Sequence, residues 1–185
     1  MTLTDVLQLL REGILEGRTV ALTGASRGEL EAALKALGAD VRHLDERLTD
    51  DATEGLADID ALVVDAGVHF TADAGAGELT PLLTAMERAW AAARAVANAA
   101  WIGPERPGKL VLVAPQPQDG PHTEAARAAL ENLSRTLSIE WARFQIRTTT
   151  ITPGPQTDLT TVAALVGYLI SPAGDYFSGA RLDLS

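Results

Sequence analysis

The chain has 185 residues, of which 46% are hydrophobic and 22% are charged, and its formal net charge is −10. This composition is ordinary for a globular protein, and the negative charge argues against nucleic acid or an anionic membrane as a partner. The absence of cysteine excludes disulfides, thiolate catalysis and cysteine–metal sites. The three histidines show no close ligand spacing, so we expect no metal site.

The length fits one domain over residues 1–185. No apolar run reaches the length of a membrane span. The N-terminus has neither a basic start nor a small-residue cleavage site, so we expect no signal peptide and a cytoplasmic location.

Apolar spacing and capping residues predict strands that alternate with helices along the whole chain. In chain order, the predicted elements are a helix over 4–15 within an N-terminal extension (1–16), a strand over 18–23, a helix over 29–38, a strand over 41–45, a helix over 49–58, a strand over 60–67, a loose segment over 69–78, a helix over 81–101, a strand over 109–115, a helix over 121–144, a strand over 146–154, a helix over 160–171 and a strand over 179–185. Nearly continuous apolar strands between helices are typical of a parallel sheet covered on both faces. The pattern therefore predicts a single doubly wound α/β domain.

The string GRTVALTGASRG (17–28) combines a predicted strand with a glycine-rich turn. Glycines allow a backbone to approach a cofactor pyrophosphate at the N-terminus of the following helix. Four later stretches follow in matching order: ALVVDAG (61–67), KLVLVAP (109–115), ALENLSRTLSIEWARFQIRTTTITPG (129–154) and VAALVGYLISPAGDYFSGARLDLS (162–185). Together these stretches resemble the short-chain dehydrogenases/reductases (SDRs), in particular the β-ketoacyl reductase-like members. The resemblance implies a Rossmann-type sheet and spans nearly the whole chain.

The same resemblance implies four catalytic positions, and all four are vacant. The family's tyrosine and the lysine four residues later fall on Thr123 and Arg127, and its serine falls on Ala114 or Pro115. The relay asparagine is expected within 84–87, TAME. The remaining tyrosines and lysines lie elsewhere in the chain, at Tyr168, Tyr176, Lys35 and Lys109. We therefore expect a shortened, catalytically degenerate SDR.

Two residues beside the vacant positions have open interpretations. Histidine in general has a pKa suited to a proton donor, so His122 could replace the tyrosine. The favoured interpretation is instead that His122 lies partly solvated in the first turn of a helix. Arg127 remains charged and cannot shuttle a proton. It is expected either to contact a phosphate or carboxylate or, by preference, to form a surface salt bridge.

The cofactor site implied by the resemblance is vestigial, and its residues are Gly24, Ser26, Arg27, Gly28, Asp45 and Gly67. Leu30 replaces the third glycine, and its side chain is expected to intrude between helix and strand. Asp45 is either the carboxylate that binds ribose hydroxyls or an acidic loop residue. Asp65 replaces an asparagine and adds negative charge near the cofactor channel.

Two segments of the family are expected to be missing. Between Asp45 and Asp60 there is room for one short helix, so the strand beside the adenine pocket is absent. After Pro153-Gly154 only a few residues precede the next helix, so the substrate-binding loop is absent as well. Without that loop nothing excludes water from hydride transfer.

The retained helices 81–101 and 121–144 and the C-terminal segment are those that form subunit interfaces in the family. Alanines permit close helix approach, although they equally suit packing on the chain's own sheet. Trp90, Trp101 and Trp141 are candidate interface hot spots. The leading hypothesis is a non-catalytic subunit, without bound cofactor, that pairs with an active SDR homologue as a heterotetramer. NAD(P) then lies in the partner, which acts in acyl-thioester or steroid metabolism.

Two alternatives remain. The first is an active or relict NAD(P)-dependent oxidoreductase for a carbonyl or hydroxyl substrate that uses substitutes such as His122 and Asp45. The second is a small-molecule sensor or scaffold that uses the residual crevice.

Overall fold

A computed structural model describes residues 10–24, 28–44, 55–72 and 77–185. Six parallel strands form one sheet in the order β2-β1-β3-β4-β5-β6. The strands are β1 (Thr19–Thr23), β2 (Asp40–His43), β3 (Ala61–Asp65), β4 (Gly108–Val113), β5 (Ile146–Pro153) and β6 (Ala180–Leu184). The order confirms the predicted Rossmann-type α/β fold.

Five α-helices cover the sheet in the described part of the chain: α1 (Gly28–Ala36), α2 (Ala66–Ala72), α3 (Thr80–Val96), α4 (Thr123–Glu140) and α5 (Leu159–Ile170). A π-helical segment (Ala97–Ile102) continues α3, and 3-10 segments follow α4 (Ala142–Phe144) and α5 (Pro172–Tyr176). No helix among the described residues is long and apolar enough to cross a membrane.

Strand side chains alternate between two hydrophobic cores, as the pleat of a buried sheet requires. In β4, Leu110 and Leu112 face a core shared with α2, α3 and α4, whereas Val111 and Val113 face one shared with α1 and α5. The sheet is therefore the middle layer of three, and its strands are apolar on both faces for that reason.

The described residues are consistent with both predicted losses, that of an edge strand and that of the substrate-binding loop. β2 is the outermost strand on its side of the sheet, and neither residue 44 nor 55–60 adds a strand beyond it. After β5, only residues 154–158 connect to α5. No large loop therefore covers the carboxyl ends of β4 and β5 from this connection.

The predicted helix over 4–15 is wrong where the structure describes it. Residues 12–17 form turns, and residues 1–9 lie outside the described residues. Gly13 and Gly17 have positive φ angles of 70° and 73°, and the amide of Leu15 donates to the carbonyl of Leu37 at 2.9 Å. Leu15 is fully buried, so a tertiary contact replaces the local helix.

The helix predicted over 49–58 lies largely outside the described residues, and residues 55–58 form a turn.

Helix α2 lies where the sequence predicted the end of a strand and a loose segment. The Oδ1 atom of Asp65 accepts the amide of Val68 at 3.2 Å, three residues on, which is the geometry of an N-cap. Phe70 anchors the helix in the core. The strand therefore ends at Asp65, and the chain turns directly into a helix.

Trp101 is fully buried in the core, which contradicts its proposed role as an interface residue. It lies on the π-helical segment after α3, and its indole Nε1 donates to the carbonyl of Ile59 at 2.8 Å. A Cβ atom at Gly108 would overlap the indole ring. Close packing of the indole on the start of β4 thus requires a glycine there.

Replacing Asp158 by alanine is expected to lower the free energy of unfolding by about 1 kcal/mol at neutral pH. Oδ1 of Asp158 accepts the amide of Thr161 at 2.7 Å and caps α5. Hydrogen bonding from Thr161 lowers the pKa of Asp158. The stabilisation is therefore complete above the unfolded-state pKa and is lost as the pH falls through the lower folded-state pKa.

Thermal unfolding of the wild type and D158A at neutral and acid pH checks this expectation. D158N keeps a capping oxygen and is the control, with stability close to the wild type at neutral pH. Equal stability of D158A and the wild type at neutral pH would show that the cap contributes nothing.

Candidate active-site crevice

The crevice lies at the carboxyl edge of the sheet, between β1 and β3, where successive strands are added on opposite sides of β1. Gly24 follows β1 with a φ of 84°. A Cβ atom there would lie 2.9 Å from the carbonyl oxygen of Asp65. The close approach of the two strand ends therefore requires glycine at this turn.

The other predicted cofactor residues are distributed around this crevice. Gly28 is the first residue of α1, and a Cβ atom there would meet no described residue within 4 Å. Gly67 is buried in the first turn of α2. Ser26, Arg27 and Asp45 lie outside the described residues.

Leu30 does not disrupt the packing of α1 on the sheet, contrary to expectation. Its side chain is fully buried in the core that α1 and α5 share with the strands. Leu22 of β1 and Leu34 of α1 belong to the same cluster. The helix thus packs on β1 through a leucine where the family uses a glycine.

A buried polar network that the sequence analysis missed lies beneath the crevice. His69 of α2 is buried, and its Nε2 lies 3.3 Å from the hydroxyl of Thr23. Nη1 of Arg88, on α3, lies 3.3 Å from Nδ1. A guanidinium only donates, so at the contact with Arg88 the Nδ1 atom of His69 is the acceptor. A histidine two residues after the glycine of ALVVDAG, with an arginine on the next helix, was the available signal.

Thr123 occupies the tyrosine position at the start of α4. Its side chain is buried, and its hydroxyl donates to the carbonyl of Gly120 at 2.6 Å. The preceding residue, His122, adopts a left-handed conformation with a φ of 65°. Its Nε2 lies 3.4 Å from the carboxylate of Glu78, and its side chain is one-third exposed. The hydroxyl of Thr123 is thus committed to the turn that precedes α4.

Arg127, at the lysine position, is held inside the protein and is not a surface residue. Its Nη1 donates to the carbonyls of Pro115 and Pro153, each at 2.8 Å. Its Nε lies 3.4 Å from the exposed carboxylate of Glu124, and its own side chain is only 11% exposed. The predicted surface salt bridge is therefore a minor contact. The guanidinium mainly joins the segments that leave β4 and β5.

Ala114, at the serine position, follows β4 and is buried. Its amide donates to the carbonyl of Ile151 at 2.9 Å and extends the β4–β5 ladder. It presents only a methyl group, so it cannot orient a substrate carbonyl.

A cavity of about 340 Å³ lies between α2, α3 and the turn that precedes α4. Phe70 and Pro81 contribute apolar surface, and Glu78 and Asp119 contribute carboxylates. Two carboxylates disfavour an anionic ligand such as a nucleotide phosphate. Among the described residues, no cluster of histidines and carboxylates is arranged to hold a metal ion.

No family model and no curated protein matches the sequence. Solved structures do match the fold. A citronellol catabolism dehydrogenase from Pseudomonas aeruginosa is 24% identical with a TM-score of 0.73, over 95% of this chain and 96% of the other. A short-chain dehydrogenase/reductase from Serratia marcescens is 19% identical with a TM-score of 0.70, over 92% and 97%. A hydroxysteroid dehydrogenase from Escherichia coli is 18% identical with a TM-score of 0.65, over 94% and 98%.

These likenesses extend over nearly the whole chain at low identity. They agree with the sheet order of this chain. The protein therefore has the fold of the short-chain dehydrogenases/reductases.

Proposed function

We propose that this chain is a non-catalytic SDR-like subunit that pairs with an active SDR homologue and stabilises or shapes the partner's site. The observation that carries the proposal is that the Arg127 guanidinium donates its hydrogen bonds within the protein. A guanidinium held between two backbone carbonyls replaces the ammonium that would bind ribose and lower the pKa of a neighbouring phenol. The hydroxyl of Thr123, four residues earlier, also donates within the protein, to the carbonyl of Gly120.

No other tyrosine–lysine pair can take over this role. Lys109 is the second residue of β4, about 13 Å from the carboxyl end of the strand at the usual rise per strand residue. Tyr168 lies on α5 and contacts the ring of Phe177 edge-on. Tyr176 is next to Asp175, which pairs with Lys109 at the amino edge. Lys35 is exposed on α1 and pairs with Glu31 at 2.5 Å.

We infer that this chain binds no NAD(P) and that the cofactor lies in the partner subunit. The carboxylates of Glu78 and Asp119 beside the crevice and the short 154–158 connection support this proposal. Titration of the isolated chain with NADH and NADPH, followed by nucleotide fluorescence, is the test. Saturable binding together with turnover of a carbonyl substrate would favour the oxidoreductase alternative with His122 as the acid.

The proposed partner contacts lie on the outward faces of α3 and α4 and on the C-terminal segment. Leu83 and Trp90 on α3 are 56% and 42% exposed, and Ile139 on α4 is 75% exposed. Exposed apolar side chains on neighbouring helices are typical of an interaction surface. Most alanines of α3 are buried against the chain's own sheet, so they do not support the proposal.

Co-expression of the tagged chain with an intact SDR encoded beside it tests the assembly. We expect the two chains to co-elute as a heterotetramer and I139E to reduce recovery of the partner at least about tenfold, because a carboxylate is buried without a counter-charge. A32E is the matched control, since Ala32 is exposed on α1, on the other face of the sheet. Elution of the tagged chain alone, or equal recovery with I139E and A32E, would contradict the proposal.

A substrate class for the partner is a separate part of the proposal. We propose a reductase or dehydrogenase acting on an acyl-thioester or steroid, and one of the similar structures is named a hydroxysteroid dehydrogenase. Assay of the purified complex against acetoacetyl thioesters and hydroxysteroids tests this part. Activity with neither class would contradict it and leave the assembly proposal standing.

A further inference from the structure

A second cavity lies at the amino edge of the sheet, opposite the crevice, and has a volume of about 310 Å³. Its polar wall contains Arg18, Asp60, Lys109, Arg147 and Asp175. Parallel strands all begin at this edge, so residues at the starts of β1, β3, β4 and β5 meet there. The volume is at the lower end of the range for small-molecule sites.

The positive charge of Lys109 is paired with a carboxylate inside this cavity. Its Nζ lies 2.6 Å from Oδ1 of Asp175 and donates to the carbonyls of Leu169 and Ser171. Its three ammonium donors therefore have partners within the protein. Lys109 and Asp175 form a fixed pair that contributes no net charge.

Asp60 is shared between two guanidinium groups. Its Oδ2 accepts the amide of Thr19 at 2.9 Å, and its Oδ1 lies 3.1 Å from Arg106 and 3.5 Å from Arg18. One carboxylate thus faces two positive charges, and Arg18 is the more distant and half-exposed member.

Arg147 has no carboxylate partner within ion-pair distance among the described residues. Its Nε donates to the carbonyl of Asp175, and its Nη1 donates to the carbonyl of Gln145 at 3.4 Å. Arg147 therefore brings to the cavity wall a positive charge that no carboxylate of the described residues pairs with. The cavity wall holds three cations and two carboxylates, an excess of one positive charge.

The charges are close enough to affect one another. Burial lowers the pKa of Lys109 most, the charges of Arg147 and Arg18 lower it further, and Asp175 acts in the opposite direction. An anion in the cavity would offset this repulsion. Exposed apolar surface at the cavity comes from Pro107 and Pro172, and the largely buried Ile170 lies beside them.

We propose that this cavity binds a small organic carboxylate, with its charge on Arg147 and its apolar body against Pro107, Pro172 and Ile170. The excess of one positive charge matches a monoanion, and the apolar wall matches a hydrocarbon body. This site is separate from the crevice at the carboxyl edge and does not depend on the proposed subunit function.

Titration of the full ¹⁵N-labelled chain with octanoate tests the site without any variant. We expect saturable shifts at the amides of Val20, Ala61 and Ile170, and none at Gly24 and Gly120 on the carboxyl edge. Octanol and inorganic phosphate are the comparison probes, and each is expected to bind more weakly than octanoate. No saturable shift, shifts confined to the carboxyl edge, or phosphate or octanol binding as tightly as octanoate would each overturn the proposal.

Charge-removing variants test the contact itself. R147Q is expected to weaken octanoate binding about tenfold or more, because a hydrogen bond between charged groups is lost. R18Q removes a half-exposed charge of the same wall and is expected to weaken binding severalfold; it provides the test if R147Q does not fold. R135Q removes a charge from exposed α4 surface, 63% exposed, and is expected to leave binding unchanged. Unchanged binding in R147Q or R18Q would overturn the proposal.

Discussion

Replacing Arg127 by alanine is expected to lower the free energy of unfolding by about 2–4 kcal/mol. The guanidinium satisfies the carbonyls of Pro115 and Pro153 at once, so its removal leaves two polar groups beside a cavity that water fills imperfectly. The loss also disconnects the segments that leave β4 and β5. Denaturant unfolding followed by circular dichroism measures the change.

Arg135 provides the matched control on the same helix. It pairs with Glu131 at 2.8 Å, and its side chain is 63% exposed against 11% for Arg127. R135A is expected to change stability by less than about 1 kcal/mol, as exposed ion pairs usually do. Similar losses in R127A and R135A would show that the two carbonyl contacts are not a major source of stability.

Arg127→Lys tests the catalytic interpretation of the same position. The variant restores the family's lysine and is expected to retain part of the stability, since an ammonium also donates to carbonyls. We expect it to show no reductase activity, because Thr123 and Ala114 remain in place. Measurable NADPH oxidation by R127K alone would contradict the proposal that the chain is non-catalytic.

Trp101→Ala is expected to cost about 3–5 kcal/mol of unfolding free energy, the usual loss for a large buried aromatic side chain. The indole is fully buried and its Nε1 donates to the carbonyl of Ile59 at 2.8 Å. Removal therefore creates a cavity and also leaves a backbone carbonyl without its partner. Thermal and denaturant unfolding both report the change.

Trp90→Ala is the comparison, because Trp90 lies on α3 and is 42% exposed. We expect a stability loss below about 1 kcal/mol but a clear loss of partner recovery in co-purification, since tryptophan is enriched at interface hot spots. A large stability loss without any effect on recovery would remove Trp90 from the proposed interface.

The central strands β1, β3 and β4 were predicted well because each is a largely apolar run. The predicted bounds of the strand over 109–115 and of β4 (Gly108–Val113) differ by no more than two residues, and β5 agrees equally well. In contrast, α2 was missed because its start depends on a side-chain cap from Asp65. The helix over 4–15 was wrong because apolar spacing cannot reveal that Leu15 is buried by a distant segment.

Part of the site also followed from the sequence. The glycine at position 24 was identified from its place after a strand, and its positive φ explains the residue. Trp101 was misassigned because helical spacing does not say which face of a helix meets the core. The amino-edge cavity was missed, although a lone lysine at the head of the apolar run KLVLV was a signal.

The sequence by itself determined the alternation of strands and helices and hence the doubly wound sheet, because periodicity is a local property. It also determined that the chain has no tyrosine four residues before a lysine. Only the tertiary structure decided what Arg127 does, because its two acceptors lie 12 and 26 residues away along the chain. The charge excess at the amino edge likewise arises only when the starts of four strands meet.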